Sequence, residues 1–304
     1  MCGFVVYDYP KRTAVWWSLP RVDRYRLRTL DRAQIHAKIM DAETKTFIIL
    51  VCSIALAHGG VRVMWGALCP IVFGERRWAQ LSDAKQYEIR LAFNCAVNGI
   101  LAPALVYPAL TSTPPLNQNG LYATVFPRHE GSVLGCAASV GYLLYDLLAM
   151  LSNFTVSIKA NGVVAYNLYI WHHALSIMFW PVAVLHNSFV FFVNWFVASE
   201  ASSTFLAARG AMLSLGTINT PVGVAVQLGF VASFFMSRIY VMPNLIKSIY
   251  YADWGQVPAW QANIARCTVP LPFLLNIYWW TMILRSMYKV IFGKKRGGKG
   301  KKAA

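Results

Sequence analysis

The chain has 304 residues, 57% hydrophobic and only 13% charged, against roughly 25% charged in soluble domains. That balance excludes an ordinary soluble domain and implies an all-α, polytopic membrane protein. The net charge of +16 sits mainly at the ends: the first 45 residues hold nine Lys/Arg and five Asp/Glu, and residues 285–302 hold eight basic residues and no acid. Most other basic residues stand in short connections between apolar runs. Retention of positive charge on the cytosolic side, with attraction to anionic lipid at that face, explains the pattern without nucleic acid as a partner.

In chain order, residues 1–45 form a basic N-terminal segment. Within it, Val22, Tyr25, Leu27, Leu30, Ile35 and Ile39 mix with Arg24, Arg26, Arg28 and Arg32, the pattern of an amphipathic helix lying on a membrane surface or of a solvated helix. The first apolar run begins near Phe47, behind a charged stretch too long for a cleavable signal, and reads as an uncleaved anchor. About 20 apolar residues cross the hydrocarbon core. By that measure the chain has about seven spans, at 46–68, 90–111, 132–152, 165–185, 188–208, 221–243 and 268–292. Gly59, Gly60 and Arg62 interrupt the first, which suggests a bent or incomplete crossing.

The division expected is a first membrane segment and loop over 46–84, a membrane domain over 85–292 and a basic cytosolic tail over 293–304. Two longer loops carry Pro, Asn and Thr (112–130) and the interfacial aromatics Tyr250, Tyr251, Trp254 and Trp260. The ending Lys301-Lys302-Ala303-Ala304 either closes a basic tail or resembles a dilysine retrieval signal, which is read by coat machinery from the cytosol and implies the endoplasmic reticulum membrane as the location. With a cytosolic tail and seven complete spans the basic N-terminus is lumenal, against the positive-inside rule; an incomplete first crossing removes the conflict.

Ionisable groups at membrane depth are rare and costly. His172 and His173 stand together in the fourth run, Asp146 in the third and Glu200 in the fifth. Counted from the cytosolic ends of their runs, all four lie about 9–13 Å deep at 1.5 Å per residue, which suggests one shared polar site. Adjacent residues diverge by about 100° on a helix, so one histidine faces a cavity while the other anchors to a neighbouring helix. The set suits a general acid or base, or a hydrogen-bonded network that fixes helix packing.

Zinc-binding helices space histidines at i and i+4, which is not the pattern here, and six scattered cysteines include no CxxC; no metal and no resident cofactor are expected. Ser176, Ser199, Ser202 and Ser203 lie nearby without a nucleophile elbow and read as helix-contact residues. Arg238 is placed toward the lumenal end of the sixth run, as a snorkelling residue or a headgroup contact, and Arg209 closes the fifth at the cytosolic face. Together with Tyr145, these two arginines are the candidate lipid-binding residues.

Four pieces, Gly141-Tyr142-Leu143-Leu144-Tyr145-Asp146-Leu147-Leu148, His172-His173-Ala174-Leu175-Ser176, Glu200-Ala201-Ser202-Ser203-Thr204-Phe205 leading to Arg209, and Ser237-Arg238-Ile239, resemble the TLC domain family in order and spacing over about residues 85–292. The resemblance implies a helix bundle around a central lipid-accessible cavity in the endoplasmic reticulum. The family's ceramide synthases transfer an acyl chain from acyl-CoA to a sphingoid amine, and carry the His pair followed, one span later, by His-Asp-x-x-Asp. Here that place reads Ser199-Glu200-Ala201-Ser202-Ser203, without the further histidine and with one carboxylate. The resemblance is thus to members that are not ceramide synthases, and implies binding of a lipid or acyl chain in lipid homeostasis or trafficking. The alternatives are an acyltransferase with acyl-CoA as co-substrate, in which His172 or His173 is the base, and a membrane scaffold or cargo receptor.

Overall fold

A computed structural model describes residues 32–110, 114 and 116–292. The stretch before residue 32 and the Lys301-Lys302 ending lie outside the described residues. The chain divides into two units, residues 1–46 and 47–304. In the first, the described part is helical: Thr44 and Thr46 hydroxyls donate to the carbonyls of Met40 and Ala42, and Lys45 pairs with Asp41 at 2.7 Å on an exposed face.

Among the described residues the protein is all-α. Seven helical stretches are long and apolar enough to cross a membrane: Ala37–Phe73, Asp83–Leu110, Glu130–Ser152, Val163–Leu185, Val190–Ser214, Pro221–Tyr250 and Ala259–Tyr288. The first differs from expectation. Arg32–Phe73 is one continuous helix through Gly59 and Gly60, and a Cβ at either glycine would meet nothing within 4 Å. These glycines interrupt the apolar pattern without breaking the backbone, since in a medium without water the intrahelical hydrogen bonds have no competitor.

The fifth span also differs, running on past Arg209 to Ser214. Glu200 therefore lies deeper than the sequence count placed it, and Arg209 is a half-buried residue inside the helix instead of its closing flank.

The third and fifth spans are the innermost. In each, 67% of the most apolar window is buried, against 17% in the first and seventh. Asp146 and Glu200 thus belong to the two helices with least access to lipid. Close approach is made possible by small residues: a Cβ at Gly141 would come within 2.9 Å of the Val51 carbonyl, and one at Gly99 within 2.8 Å of the Glu200 carbonyl.

Opposite the ends at Ser152 and Val163, loop backbones close the bundle. Phe126 N–H donates to the Asn187 carbonyl (2.9 Å), Phe189 N–H to Thr124 (2.7 Å), Tyr122 N–H to Tyr251 (2.8 Å) and Asp253 N–H to Tyr122 (2.8 Å). The two long loops seen in the sequence are therefore tied to each other and to the turn before the fifth span. Asn187 and Phe189 both take positive φ there, at 54° and 57°.

Candidate functional site

Two irregular helix segments set up the site. The fifth span is broken at Glu200, between helices Val190–Ser199 and Ala201–Ser214. Around the break the hydrogen bonds tighten to a three-residue spacing, Glu200 N–H to Val197 O (3.1 Å) and Ser203 N–H to Glu200 O (2.9 Å). The sixth span relaxes the other way, into a π-helical turn over Phe235–Tyr240 that contains Arg238. Wider turns of this kind are frequent at functional sites.

Across these two irregularities Arg238 Nη2 donates to Glu200 Oε1 at 3.1 Å, with both side chains buried. Arg238 Nε donates to Ser202 Oγ (3.0 Å) and Nη1 to Asn276 Oδ1 (3.2 Å), while Ser203 Oγ donates to Glu200 Oε2 (2.9 Å). The guanidinium also faces the rings of Phe234 and Trp279, at 5.4 and 5.9 Å. Arg238 is only 8% exposed. The snorkelling expected of it does not occur, because the carboxylate that neutralises it stands on the neighbouring helix at the same level.

The histidine pair divides as the helical angle requires. His173 is buried, its Nε2 2.9 Å from Asp146 Oδ2 and its Nδ1 2.7 Å from the Tyr169 carbonyl. Both nitrogens face acceptor oxygens, which leaves neither to take a proton from a substrate. His172 packs edge-on against His173 (5.5 Å between centroids) and Trp279 (5.9 Å), is half-buried, and makes no hydrogen bond among the described residues. The four acidic and histidine residues do not converge on one atom. Asp146 is hydrogen-bonded to His173, third span to fourth, and Glu200 is ion-paired with Arg238, fifth to sixth, with the His172 ring between the two pairs.

His172 lines two adjoining spaces. One, of about 10 Å³, is bounded by Glu200, Arg238, Asn276, Ser199 and Trp279. The other is an apolar cleft of about 490 Å³ between the fourth, fifth and seventh spans, reaching from Val164 and Tyr278 at one end to Ser188 and Gln261 at the other. His172, Trp180, Phe196, Pro272 and Leu275 belong to both walls. The cleft's rim includes Trp171 and Leu274, 66% and 63% exposed, so it opens on the lipid-facing side of these spans.

Two of the three proposed lipid-binding residues stand elsewhere. Tyr145 is buried, its ring stacked on His58 (5.7 Å) and its hydroxyl accepting from Asn94 Nδ2 (3.2 Å). Arg209 lines neither space. Ser199 Oγ donates to the Phe196 carbonyl and Ser202 Oγ to the Ser199 carbonyl, which satisfies carbonyls beside the helix break, while Ser202 Oγ also accepts from Arg238. Among the described residues, no group of three or more His, Cys, Asp or Glu side chains is placed to hold a metal ion.

Asn276 and the pair His58–Asn94 (Nδ1 to Oδ1, 2.8 Å) were not singled out by sequence reasoning. A lone amide inside an apolar run was the available signal for Asn276, the same one that marked the histidines. Asp146→Ala, which leaves a buried imidazole without its carboxylate, is expected to lower unfolding stability in detergent by about 1–3 kcal/mol. An unchanged denaturation midpoint would show that the His173 pair is incidental.

Residues 92–285 match the TLC domain. The chain is 32% identical over 177 residues to TLC domain-containing protein 4-B of Danio rerio, a stretch covering 55% of this chain and 62% of that protein. To TLC domain-containing protein 4-A of Xenopus laevis it is 24% identical over 263 residues, and to TLC domain-containing protein 4 of Xenopus tropicalis 27% over 262, each match covering 82% of this chain and 95% of the relative. None of these names is that of a ceramide synthase. With Asp146, His172, His173, Glu200, Arg238 and Asn276 all inside the matched region, which is more than half of its length, this chain belongs to the TLC domain family.

Proposed function

We propose that this multi-pass membrane protein binds a lipid or acyl chain in the cleft between its fourth, fifth and seventh spans, and that it serves lipid homeostasis or trafficking in the endoplasmic reticulum. One observation carries the reading: an apolar space of about 490 Å³, within the range of about 300–1,000 Å³ common for ligand sites, meets a buried polar network at the half-buried His172 ring. The rim of exposed apolar side chains gives a lipid a way in from the bilayer. The family resemblance supports the choice of membrane, and the basic flanks support anionic lipid as a neighbour at the cytosolic face.

Protein extracted from membranes and analysed by mass spectrometry is expected to retain a lipid through purification. Ala183→Phe, which puts a ring into the cleft from its half-buried wall, should reduce that retention several-fold. Leu228→Phe, at a 62% exposed position outside the cleft, should leave it unchanged. Equal retention by the two variants would place the bound lipid somewhere else.

A second reading, acyl transfer, draws on the same ring. With both His173 nitrogens engaged, His172 is the histidine left with a nitrogen to accept a proton. Turnover of acyl-CoA with a lipid acceptor by the purified protein, abolished by His172→Ala, would establish the enzyme; retention of lipid without turnover favours binding.

A further inference from the structure

The lipid-binding reading leaves open which headgroup chemistry the polar end accepts, and the hydrogen-bond pattern there restricts it. We infer that the site selects a lipid whose polar group is an uncharged hydroxyl, such as a long-chain alcohol or a partial glyceride, over phosphate, carboxylate or ammonium lipids; this rests on the lipid-binding reading of the cleft.

The restriction begins with Arg238, the obvious seat for a phosphate. Its three nitrogens already donate, Nε to Ser202, Nη1 to Asn276 and Nη2 to Glu200. Three of its five N–H groups are thereby used within the bundle, and its charge is balanced by Glu200 at 3.1 Å. On the other side of His172, Asp146 is hydrogen-bonded to His173 at 2.9 Å. The Arg238 charge is thus balanced inside the network and is not held out for an ionic headgroup. An anion entering here would meet the Glu200 carboxylate, and a cation would meet Arg238.

The group that remains is His172. A neutral imidazole offers one N–H donor and one acceptor nitrogen, which is the complement of a hydroxyl. The polar space beside it is about 10 Å³, about the room that one water needs, so a hydroxyl fits where a phosphate does not. Because the cleft extends from His172 both toward Val164 and toward Gln261, apolar chain can lie on either side of that hydroxyl. Burying an unpaired charge at this depth is costly by several kcal/mol, whereas a hydroxyl paired with the ring is satisfied.

The test uses the full-length protein in detergent and one C18:1 chain with three head atoms of similar size: oleyl alcohol, oleate at pH 9 and oleylamine at pH 6, each titrated in competition with a fluorescent oleyl alcohol. Oleyl alcohol is expected to bind at least about ten-fold more tightly than either charged probe, a difference of about 1.4 kcal/mol. His172→Phe should reduce that preference to less than about three-fold, and His172→Gln, which keeps a donor and an acceptor, should restore most of it. Charged probes binding as tightly as the alcohol would overturn the inference while leaving the cleft a lipid site. Failure of the alcohol, oleate and oleylamine alike to bind would overturn the lipid-binding reading itself. The comparison of probes on the unaltered protein holds whether or not the variants fold.

Discussion

Glu200→Gln is expected to cost this protein about 3–5 kcal/mol of stability, because it strands the Arg238 guanidinium in a buried position. The loss is far more than one hydrogen bond. Neutral polar contacts between membrane helices average only about 0.6 kcal/mol, and the amide of Gln can still accept from Arg238. What disappears is the carboxylate charge, and the remaining Ser202 and Asn276 contacts are dipoles. Arg238→Met should be damaging for the mirror reason, leaving Glu200 with a single donor, the Ser203 hydroxyl. The double variant Glu200→Gln, Arg238→Met removes both charges and is expected to be more stable than either single one. Lys45→Met, which breaks a pair whose side chains are 70% and 61% exposed, should cost less than about 1 kcal/mol. Unfolding midpoints in detergent for the four proteins decide the matter. A double variant as unstable as the sum of the singles would mean that the two side chains do not pair.

The contrast between those two ion pairs, Glu200–Arg238 and Asp41–Lys45, shows which parts of the site could be read from residues alone. Helix number and class follow from the lengths of apolar runs, and the polar residues at membrane depth are conspicuous for the same reason. Their partners are not. Arg238 lies 38 residues from Glu200 and looked free to snorkel, since nothing in a run that is apolar all round fixes which face turns toward which neighbour. Asp146 and Tyr145 are adjacent in sequence yet belong to different networks, one toward the fourth span and one toward His58 and Asn94 in the first and second. A rotation of 100° between neighbours was enough to foresee that His172 and His173 would part. It could not tell which of them would keep the cleft.

Helix ends were the other weak point. Residues after Arg209 include Gly210, Ala211, Met212 and Leu213, a continuation of the apolar pattern behind one charge, and the helix takes it. Moving that end outward put Glu200 deeper than its count from Arg209 implied. The depth argument treats the four residues as one shared site, whereas the structure holds two pairs with the His172 ring between them.

Gly99→Ala should disturb the site without touching any of its side chains. A Cβ at Gly99 would lie 2.5 Å from Thr204 Oγ1, 2.8 Å from the Glu200 carbonyl oxygen and 3.0 Å from the Thr204 nitrogen. The hydroxyl can turn away; the two backbone atoms cannot. Relief requires the second span to move off the fifth at the residue where the fifth is broken, and that displacement is carried directly to the Glu200–Arg238 pair. Alanine is the better helix former by about 0.5–1 kcal/mol, so the substitution is stabilising if only local propensity matters. Overpacking costs about 1–3 kcal/mol and should prevail, giving a net loss and weaker retention of lipid in the cleft. Gly59→Ala provides the comparison, since a Cβ there meets nothing within 4 Å; it should leave both stability and lipid retention the same or slightly improved. If Gly99→Ala behaves as Gly59→Ala does, the second and fifth spans are not in close contact at Glu200.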